Sequence, residues 1–210
     1  MIVVHHLNDS RSHRIIWLLE ELGLPYEIKN YDRDATTRLA PPALTAIHPL
    51  GKSPVITVDG DTIIESGAII DYIIRRHAGG RLAPAPQTPA HETYLQWMHY
   101  AEGSAMLPLM MFMYVARLGE AGAPLHPRIE SEIANHIGYV EASLVGKDYL
   151  MGAEFTGADV QMSFIGEVTN AFGRLPNYPN MKAWVDRFQA RPAYRKALEK
   201  GGAYNLGPKT

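Results

Sequence analysis

The stretch His48–Ile70, HPLGKSPVITVDGDTIIESGAII, decides how the first third of the chain is expected to fold. The apolar runs VITV and DTII flank Asp59-Gly60, and this dipeptide between two such runs predicts a β-hairpin. Four isoleucines at helical spacing then predict a helix: Ile69, Ile70, Ile73 and Ile74. Pro54 stands at the entry to the hairpin, where its missing N–H does not interrupt a sheet.

A strand–helix–strand unit is predicted upstream of this stretch. Residues 2–4 begin a short strand, and YEIKNY, residues 26–31, predicts the next one. The helix between them is predicted from apolar residues at helical spacing, with Gly23 placed to end it: Ile15, Leu18, Leu19 and Leu22. Such a βαβ unit is expected to pair its two strands in parallel. Residues 32–52 predict an irregular segment with one turn of helix.

The composition excludes several classes of function. The chain of 210 residues has a net charge of −2, so it carries no bulk basic field for nucleic acid or an anionic membrane surface. It has no cysteine, and any thiol chemistry must therefore use a thiol that a ligand supplies. Its nine histidines show no spacing typical of a metal site, so no metal is expected.

No membrane segment or signal peptide is predicted. The longest nearly apolar run, Ala105–Ala116, contains a proline and is too short to span a bilayer. The first ten residues, MIVVHHLNDS, have neither a basic start nor a long apolar run. We therefore expect a cytoplasmic protein.

The chain divides into a mixed first domain and an all-helical second domain. Residues 1–79 form the first, residues 80–89 are a linker rich in glycine, alanine and proline, and residues 90–210 form the second. A long helix is predicted over about residues 90–118, with a bend at Pro108.

Ser53 and Pro54 have two interpretations. If the Ser53–Pro54 peptide bond is cis, the backbone N–H and C=O of Ser53 face outward and can pair with an extended peptide, as an added strand would. The alternative is an ordinary trans proline that closes a loop.

Glu65 and Ser66 stand where the helix after the hairpin must begin. Ser66 is a good N-cap residue, and a helix N-terminus favours a bound carboxylate. The Glu65 carboxylate beside it suits an ammonium group. Together the two would hold the head group of an α-amino acid. The alternative is a simple cap next to a solvated glutamate.

Ser10 lies between the first strand and the first helix, where a hydroxyl and helix N–H groups could stabilise a bound thiolate. Lowering a thiol pKa of about 8.5 by two units requires about 2.7 kcal/mol. A helix terminus supplies up to about 2 kcal/mol, and a hydrogen bond to a charged group roughly 1.5–3 kcal/mol. The two suffice together. The alternative is that Ser10, or Ser12, only caps the helix.

The whole chain resembles the cytosolic glutathione S-transferase family. The motifs HPLGKSPVI and IIESGAIIDYI resemble the family's cis-proline turn and its Glu-Ser glutathione motif. EFTGADV carries Thr156 and Asp159, which resemble the capping box of the helical domain. HLNDSRSHRIIWLLEELGLPYE is most similar to the serine-type group of bacterial, fungal, theta and related enzymes. The resemblance implies a thioredoxin-like N-terminal domain, βαβ-ββα, followed by an all-helical C-terminal domain.

The resemblance assigns roles to individual residues. Glu65 and Ser66 would hold the γ-glutamyl group of glutathione, and the Ser53 backbone would pair with its cysteinyl unit beside a cis Pro54. Lys52 would approach the glycyl carboxylate, and Ser10 would donate to the thiolate. The capping box is implied to be structural.

Several alternatives stay open around Ser10. Ser12 replaces Ser10 if the register differs by two residues, and Arg11 nearby could supply positive charge. No tyrosine stands at the end of the first strand, where tyrosine-type relatives keep theirs, and His5 and His6 occupy that region. In the helical domain, His99 and Glu102 could line the cleft or reach a neighbouring subunit's ligand, or could be surface residues. A methionine-rich face is either an adaptable pocket or core: Met106, Met110 and Met113.

The resemblance implies an enzyme that conjugates the glutathione thiolate to a small apolar electrophile, with glutathione as co-substrate and a homodimeric assembly. Two alternatives use the same fold: a scaffold or binding protein without activity, and a glutathione-dependent peroxidase or isomerase. A scaffold has no need for the complete set of proposed glutathione-binding residues, which favours the enzyme.

Overall fold

The computed structural model describes residues 1–208, and the first part of these is built on a four-stranded sheet. The strands are β1 (Ile2–Leu7), β2 (Tyr26–Tyr31), β3 (Val55–Val58) and β4 (Asp61–Ile64), in the order β2-β1-β3-β4. β1 and β2 pair in parallel, with Val4 opposite Ile28, as the βαβ pattern predicts. β1 pairs antiparallel with β3, and β3 with β4, so the predicted hairpin at Asp59-Gly60 is confirmed.

Three helices accompany the sheet: α1 (Ser12–Leu22), α2 (Pro42–Thr45) and α3 (Ser66–His77). The predicted order βαβ-ββα is therefore observed, with α2 as the single turn in the irregular segment. α1 ends at Gly23, whose φ of 65° is one that glycine adopts without steric cost. α3 buries the four isoleucines that predicted it: Ile69, Ile70, Ile73 and Ile74.

Within residues 1–208, six further α-helices follow: α4 (Pro89–Tyr100), α5 (Met106–Val115), α6 (His126–Ser143), α7 (Gly157–Ala171), α8 (Pro179–Gln189) and α9 (Pro192–Gly201). The long helix predicted over residues 90–118 is interrupted earlier than expected, by a π-helical turn over Ala101–Ala105. In this turn the Met106 N–H donates to the Ala101 carbonyl. Pro108 lies in α5 just after this turn, and it has no N–H to donate to the Ser104 carbonyl as a regular helix would require.

The described chain forms two compact units. One comprises Met1–Ala83 together with the residues from Phe188 onward, and the other comprises Pro84–Arg187. The predicted domains, 1–79 and 90–210 with linker 80–89, stay a prediction, and the last two residues of that range, Lys209 and Thr210, lie outside the described residues.

α9 packs on α1 in the first unit, which explains why α1 is buried on more than its predicted apolar face. The Trp17 ring centroid lies 5.2 Å from that of Tyr194 and 5.5 Å from that of Phe188. At the end of α1, Glu20 pairs with Lys196 and Lys200 of α9. α1 is thus held between the sheet and the C-terminal helix.

Candidate active site

The loop between β1 and α1 carries Ser10. Asp9, just before it, has a φ of 51°, which turns the chain sharply after the strand. The Ser10 hydroxyl oxygen accepts a hydrogen bond from the Ser12 N–H at 3.2 Å, so Ser10 satisfies one of the free donors of the first helical turn. The loop is held from the other side by Arg33, which donates to the carbonyls of Asn8 and Asp9.

Ser10 and Ser53 meet although 43 residues separate them in the chain. Their hydroxyl oxygens are 3.3 Å apart, and Ser53 in turn donates to the His5 carbonyl of β1 at 3.0 Å. This contact exists because β1 and β3 are neighbours in the sheet. The candidate thiolate-stabilising hydroxyl therefore lies directly beside the candidate peptide-binding residue.

The Ser53–Pro54 peptide bond is cis. Within residues 1–208, the backbone N–H and C=O of Ser53 take part in no hydrogen bond. Pro54 is buried and leads directly into β3. An extended peptide could therefore pair with Ser53 in the way that a further strand would.

Glu65 and Ser66 stand at the start of α3, but not as the cap that the sequence predicts. Ser66 is the first helical residue, and the cap position is occupied by Glu65, without a side-chain capping bond. Glu65 has φ 68° and ψ 115°, an uncommon conformation for a residue with a Cβ. Its side chain is exposed, whereas Ser66 is buried. The pair thus offers an accessible carboxylate beside a helix N-terminus.

Sequence reasoning missed Arg14. This residue of α1 is 1% exposed, and its Nη1 donates to the Ser66 hydroxyl oxygen at 3.1 Å. A signal was available, since a cation directly before Ile15 and Ile16 in a largely apolar helix needs a reason to be buried. Arg14 joins the start of α3 to the first turns of α1, so it orients Ser66.

Comparisons with known proteins identify the family. The family model for the glutathione S-transferase N-terminal domain matches residues 1–75, and that for the C-terminal domain matches residues 103–192. Glutathione S-transferase 3 of Schizosaccharomyces pombe is 39% identical over 95% of this chain and 88% of that protein. The chain belongs to the glutathione S-transferase family.

Solved structures of this transferase family match the fold as well. A glutathione S-transferase from Actinobacillus pleuropneumoniae superimposes with a TM-score of 0.89 at 36% identity, covering 98% of this chain and 95% of that one. A family member from Pseudomonas fluorescens, reported with two glutathione molecules bound, gives a TM-score of 0.80 at 26% identity, covering 94% and 92%. The predicted fold class, thioredoxin-like followed by all-helical, and the predicted glutathione transferase class of enzyme are confirmed.

The other predicted glutathione-site residues of this transferase differ in accessibility. Lys52 is exposed and Arg11 is half-buried. Ser12, the alternative to Ser10, is completely buried, and its hydroxyl contacts His6 Nδ1 at 2.8 Å. Because Ser10 lies nearer the surface and beside Ser53, the geometry favours Ser10 over Ser12 for contact with a ligand.

The helical unit contains the remaining predicted residues. His99 is exposed in the last turn of α4, and Glu102 is half-buried in the π-helical turn. In the methionine-rich face, Met106 is buried while Met110 and Met113 are partly exposed.

The capping box at the start of α7 is formed in both directions. The Thr156 hydroxyl oxygen accepts from the Ala158 N–H at 3.3 Å, and the Asp159 carboxylate accepts from the Thr156 N–H at 2.9 Å. Asp159 also accepts from the Leu150 N–H and from Trp184 Nε1, both at 2.9 Å. One buried carboxylate thus connects α7, α8 and the preceding loop.

Residues 1–208 show neither a candidate metal site nor a candidate membrane span. These residues hold no group of three or more histidine and acidic side chains that could bind a metal ion. Within the same range, every helix is too short or too polar to cross a bilayer.

Proposed function

We propose that this enzyme is a serine-type glutathione transferase in which Ser10 stabilises the thiolate of bound glutathione. The observation that carries the proposal is the contact between Ser10 and Ser53, at 3.3 Å, next to a peptide group with free hydrogen-bonding capacity. A peptide that pairs with Ser53 as an added strand brings its own side chain close to the Ser10 hydroxyl. In glutathione that side chain is the thiol.

The remaining proposed contacts match charged groups of the protein with charged groups of glutathione. The exposed Glu65 carboxylate suits the γ-glutamyl ammonium, and the N-terminus of α3 at Ser66 suits the neighbouring carboxylate. Exposed Lys52 suits the glycyl carboxylate at the other end, and Arg11 adds positive charge near the thiolate. The relative from Pseudomonas fluorescens, reported with glutathione bound, supports this ligand.

The second substrate is proposed to be a small apolar electrophile that the thiolate attacks, with catalysis by proximity and by the lowered thiol pKa. Met110 and Met113 offer partly exposed, adaptable apolar surface for such a molecule. His99 and Glu102 are proposed to line the binding cleft of the electrophile or to reach the ligand of a neighbouring subunit. We further propose a cytoplasmic homodimer, and gel filtration at the mass of one chain would contradict the dimer.

The test is an ultraviolet difference titration of the protein with glutathione against pH, which detects the thiolate. We expect a thiolate band well below the free thiol pKa of about 8.5, and a rise of the bound pKa of about one to two units in Ser10→Ala. Calorimetry on the same samples measures glutathione binding. A band that is unchanged in Ser10→Ala would assign the role to Ser12, Arg11 or backbone N–H groups.

A panel of electrophiles and hydroperoxides distinguishes the possible reactions. Conjugation of aryl or alkyl halides supports the proposed transferase, whereas turnover of hydroperoxides alone would favour a glutathione-dependent peroxidase. Glutathione binding without a thiolate band or turnover would favour a binding protein.

A further inference from the structure

A chain of hydrogen bonds leads from Ser10 into the interior of the protein. Ser10 Oγ lies 2.7 Å from Ser12 Oγ, and Ser12 Oγ lies 2.8 Å from His6 Nδ1. On its other side, His6 Nε2 lies 3.0 Å from the carbonyl oxygen of Gly201, at the end of α9. All three side chains are buried, with Ser10 6%, His6 4% and Ser12 0% exposed, and Ser10 is the one that contacts the half-buried Ser53.

The inner end of the chain has a definite polarity. A carbonyl oxygen only accepts, so His6 Nε2 must carry the hydrogen that points to Gly201. Burial lowers the pKa of His6 and keeps the imidazole neutral in the free protein, against weaker opposing effects of the Gly201 hydrogen bond and Asp9. A neutral ring with hydrogen on Nε2 has a bare Nδ1. The Ser12 hydroxyl therefore donates to His6 Nδ1 at 2.8 Å in preference to the Leu7 carbonyl, which is farther away at 3.3 Å.

This polarity determines where the Ser10 proton points. The Ser12 hydroxyl has one proton and gives it to His6, so at 2.7 Å the donor in the serine pair is Ser10. The Ser53 hydroxyl gives its proton to the His5 carbonyl and is a competing acceptor for Ser10, but its oxygen is 3.3 Å from Ser10 Oγ whereas Ser12 Oγ is 2.7 Å away, so the single Ser10 proton goes to Ser12. In the free protein the Ser10 proton is thus directed inward, whereas thiolate stabilisation needs it directed at the ligand.

A proton on His6 Nδ1 reverses the donor–acceptor direction of each hydrogen bond between His6 and Ser10. The imidazolium then donates to Ser12, Ser12 donates to Ser10, and Ser10 is free to donate to sulfur. We propose that His6 takes up the proton that the glutathione thiol loses, through Ser10 and Ser12. The inference rests on the proposed function, since it requires Ser10 to face the bound thiol.

The transfer balances without any other reactant. The S–H bond breaks and its proton joins Ser10 Oγ, Ser10 passes its own proton to Ser12 Oγ, and Ser12 passes its own to His6 Nδ1. Both serines end as neutral hydroxyls. The products are a thiolate and an imidazolium, so the net charge of the complex does not change. His6 and Ser12 act through Ser10 and are positioning residues for the reaction.

The charges that face His6 are compatible with this role. Burial lowers the pKa of His6, and the Asp9 carboxylate on the β1–α1 loop, fixed by the Asn205 N–H at 2.8 Å and Nδ2 at 2.7 Å, partly opposes that lowering. His13 of α1 stays neutral, because burial lowers its pKa to about 3, so it adds no competing positive charge. The bound thiolate supplies a further negative charge to the imidazolium.

The test counts protons in weakly buffered solution at neutral pH, with an indicator dye, while the thiolate band is recorded on the same sample. If the proton goes to His6, the wild-type protein forms thiolate with far less than one proton released. Asparagine at position 6 places an acceptor oxygen near the Nδ1 position but cannot take up a proton. In His6→Asn, about one proton should therefore be released per thiolate formed, since the thiol proton has only solvent to go to.

Ser12→Ala interrupts the same series of hydrogen bonds at a different residue and leaves His6 in place. Thiolate formation in this variant should also release about one proton per thiolate. Nitrogen NMR of His6 gives a second readout. Glutathione should convert Nδ1 from bare to protonated in the wild type, but not in Ser12→Ala. Thermal unfolding of each variant identifies effects that come only from a damaged fold.

The outcomes separate this inference from the proposed function. A wild-type thiolate band accompanied by full proton release, or a His6 Nδ1 that stays bare in the complex, would overturn the relay and leave the role of Ser10 intact. A wild-type complex without any thiolate band would overturn both.

Discussion

The backbone at Glu65 allows strain and ligand binding to be separated with two substitutions at one position. Glu65 has φ 68° and ψ 115°, and its carbonyl accepts the first α3 hydrogen bond, from the Ile69 N–H at 2.9 Å. A residue with a Cβ in such a sparsely populated region costs on the order of 1–3 kcal/mol. The surrounding structure holds Glu65 in this conformation, in which its carboxylate is exposed.

We expect Glu65→Gly to be more stable than Glu65→Ala by about 1 kcal/mol. Alanine keeps the Cβ and therefore the strain, whereas glycine removes it but loses roughly 0.4–1 kcal/mol through the greater entropy of the unfolded chain. For a chain of this size the difference corresponds to about 2–4 °C in melting temperature. Thermal unfolding followed by circular dichroism measures it.

Both variants should lose the same amount of glutathione affinity. Removal of a charged hydrogen-bonding partner for the ammonium costs about 1.5–3 kcal/mol, or roughly a 10- to 150-fold rise in Kd by calorimetry. Glu65→Gln keeps the strain and the size of the side chain without its charge, and serves as the matched control. If the Glu65→Ala variant proved as stable as the Glu65→Gly variant, the backbone conformation at this position would not be strained. If affinity were unchanged, Glu65 would not bind the ammonium.

Three further predictions concern buried or paired ionisable groups. Burial lowers the pKa of His13 to about 3, so the stability that its neutral form contributes is full above pH 6.5 and is lost as the pH falls toward 3. His13→Phe, which keeps a ring beside Tyr204, should therefore show a smaller fall in melting temperature from pH 8 to pH 5, and an equal fall would contradict this. Asp159→Asn should cost roughly 2–4 kcal/mol in urea unfolding, because an amide nitrogen then faces a buried donor. Thr156→Ser should cost much less, and equal losses would argue against the capping geometry. Burial opposes ionisation of Glu20, but hydrogen bonds from Lys196, Lys200 and Tyr26 outweigh it and lower its pKa from 4.5 to about 2. The contribution of ionised Glu20 to the free energy of unfolding is thus present above pH 4.5 and is lost as the pH falls through 2. Glu20→Gln should therefore reduce the change in this free energy, measured by urea unfolding, between these two pH values.

Local patterns predicted most of the elements because their causes lie within short windows. The Asp59-Gly60 hairpin, the four isoleucines of α3 and the strand YEIKNY all appear where periodicity and turn chemistry place them. The predicted N-cap role of Ser66 was wrong at the level of one residue, since helix ends depend on the conformation of Glu65 as well as on residue type. The helix predicted to bend at Pro108 is instead interrupted earlier, over Ala101–Ala105, because a π-helical turn has no clear sequence signal.

Residue types identified Ser10, Ser53, Glu65 and Ser66 as candidates, but not which of them meet. The same hydroxyl chemistry is available at Ser10 and Ser12, and only burial and the contact with Ser53 favour one over the other. Arg14 was missed because its partner, Ser66, is 52 residues away. Sequence spacing carries no information about a contact of that range.

The sequence by itself determined the order of strands and helices, the glycine and proline turns, the absence of a protein thiol and the set of candidate glutathione-binding residues, because propensity, periodicity and residue chemistry act locally. Only the tertiary structure decided that His6 meets Gly201 across 195 residues and that α9 closes over α1. Strand register and helix packing bring such residues together. Those depend on the burial of the whole chain, and so does the direction of the Ser10 proton.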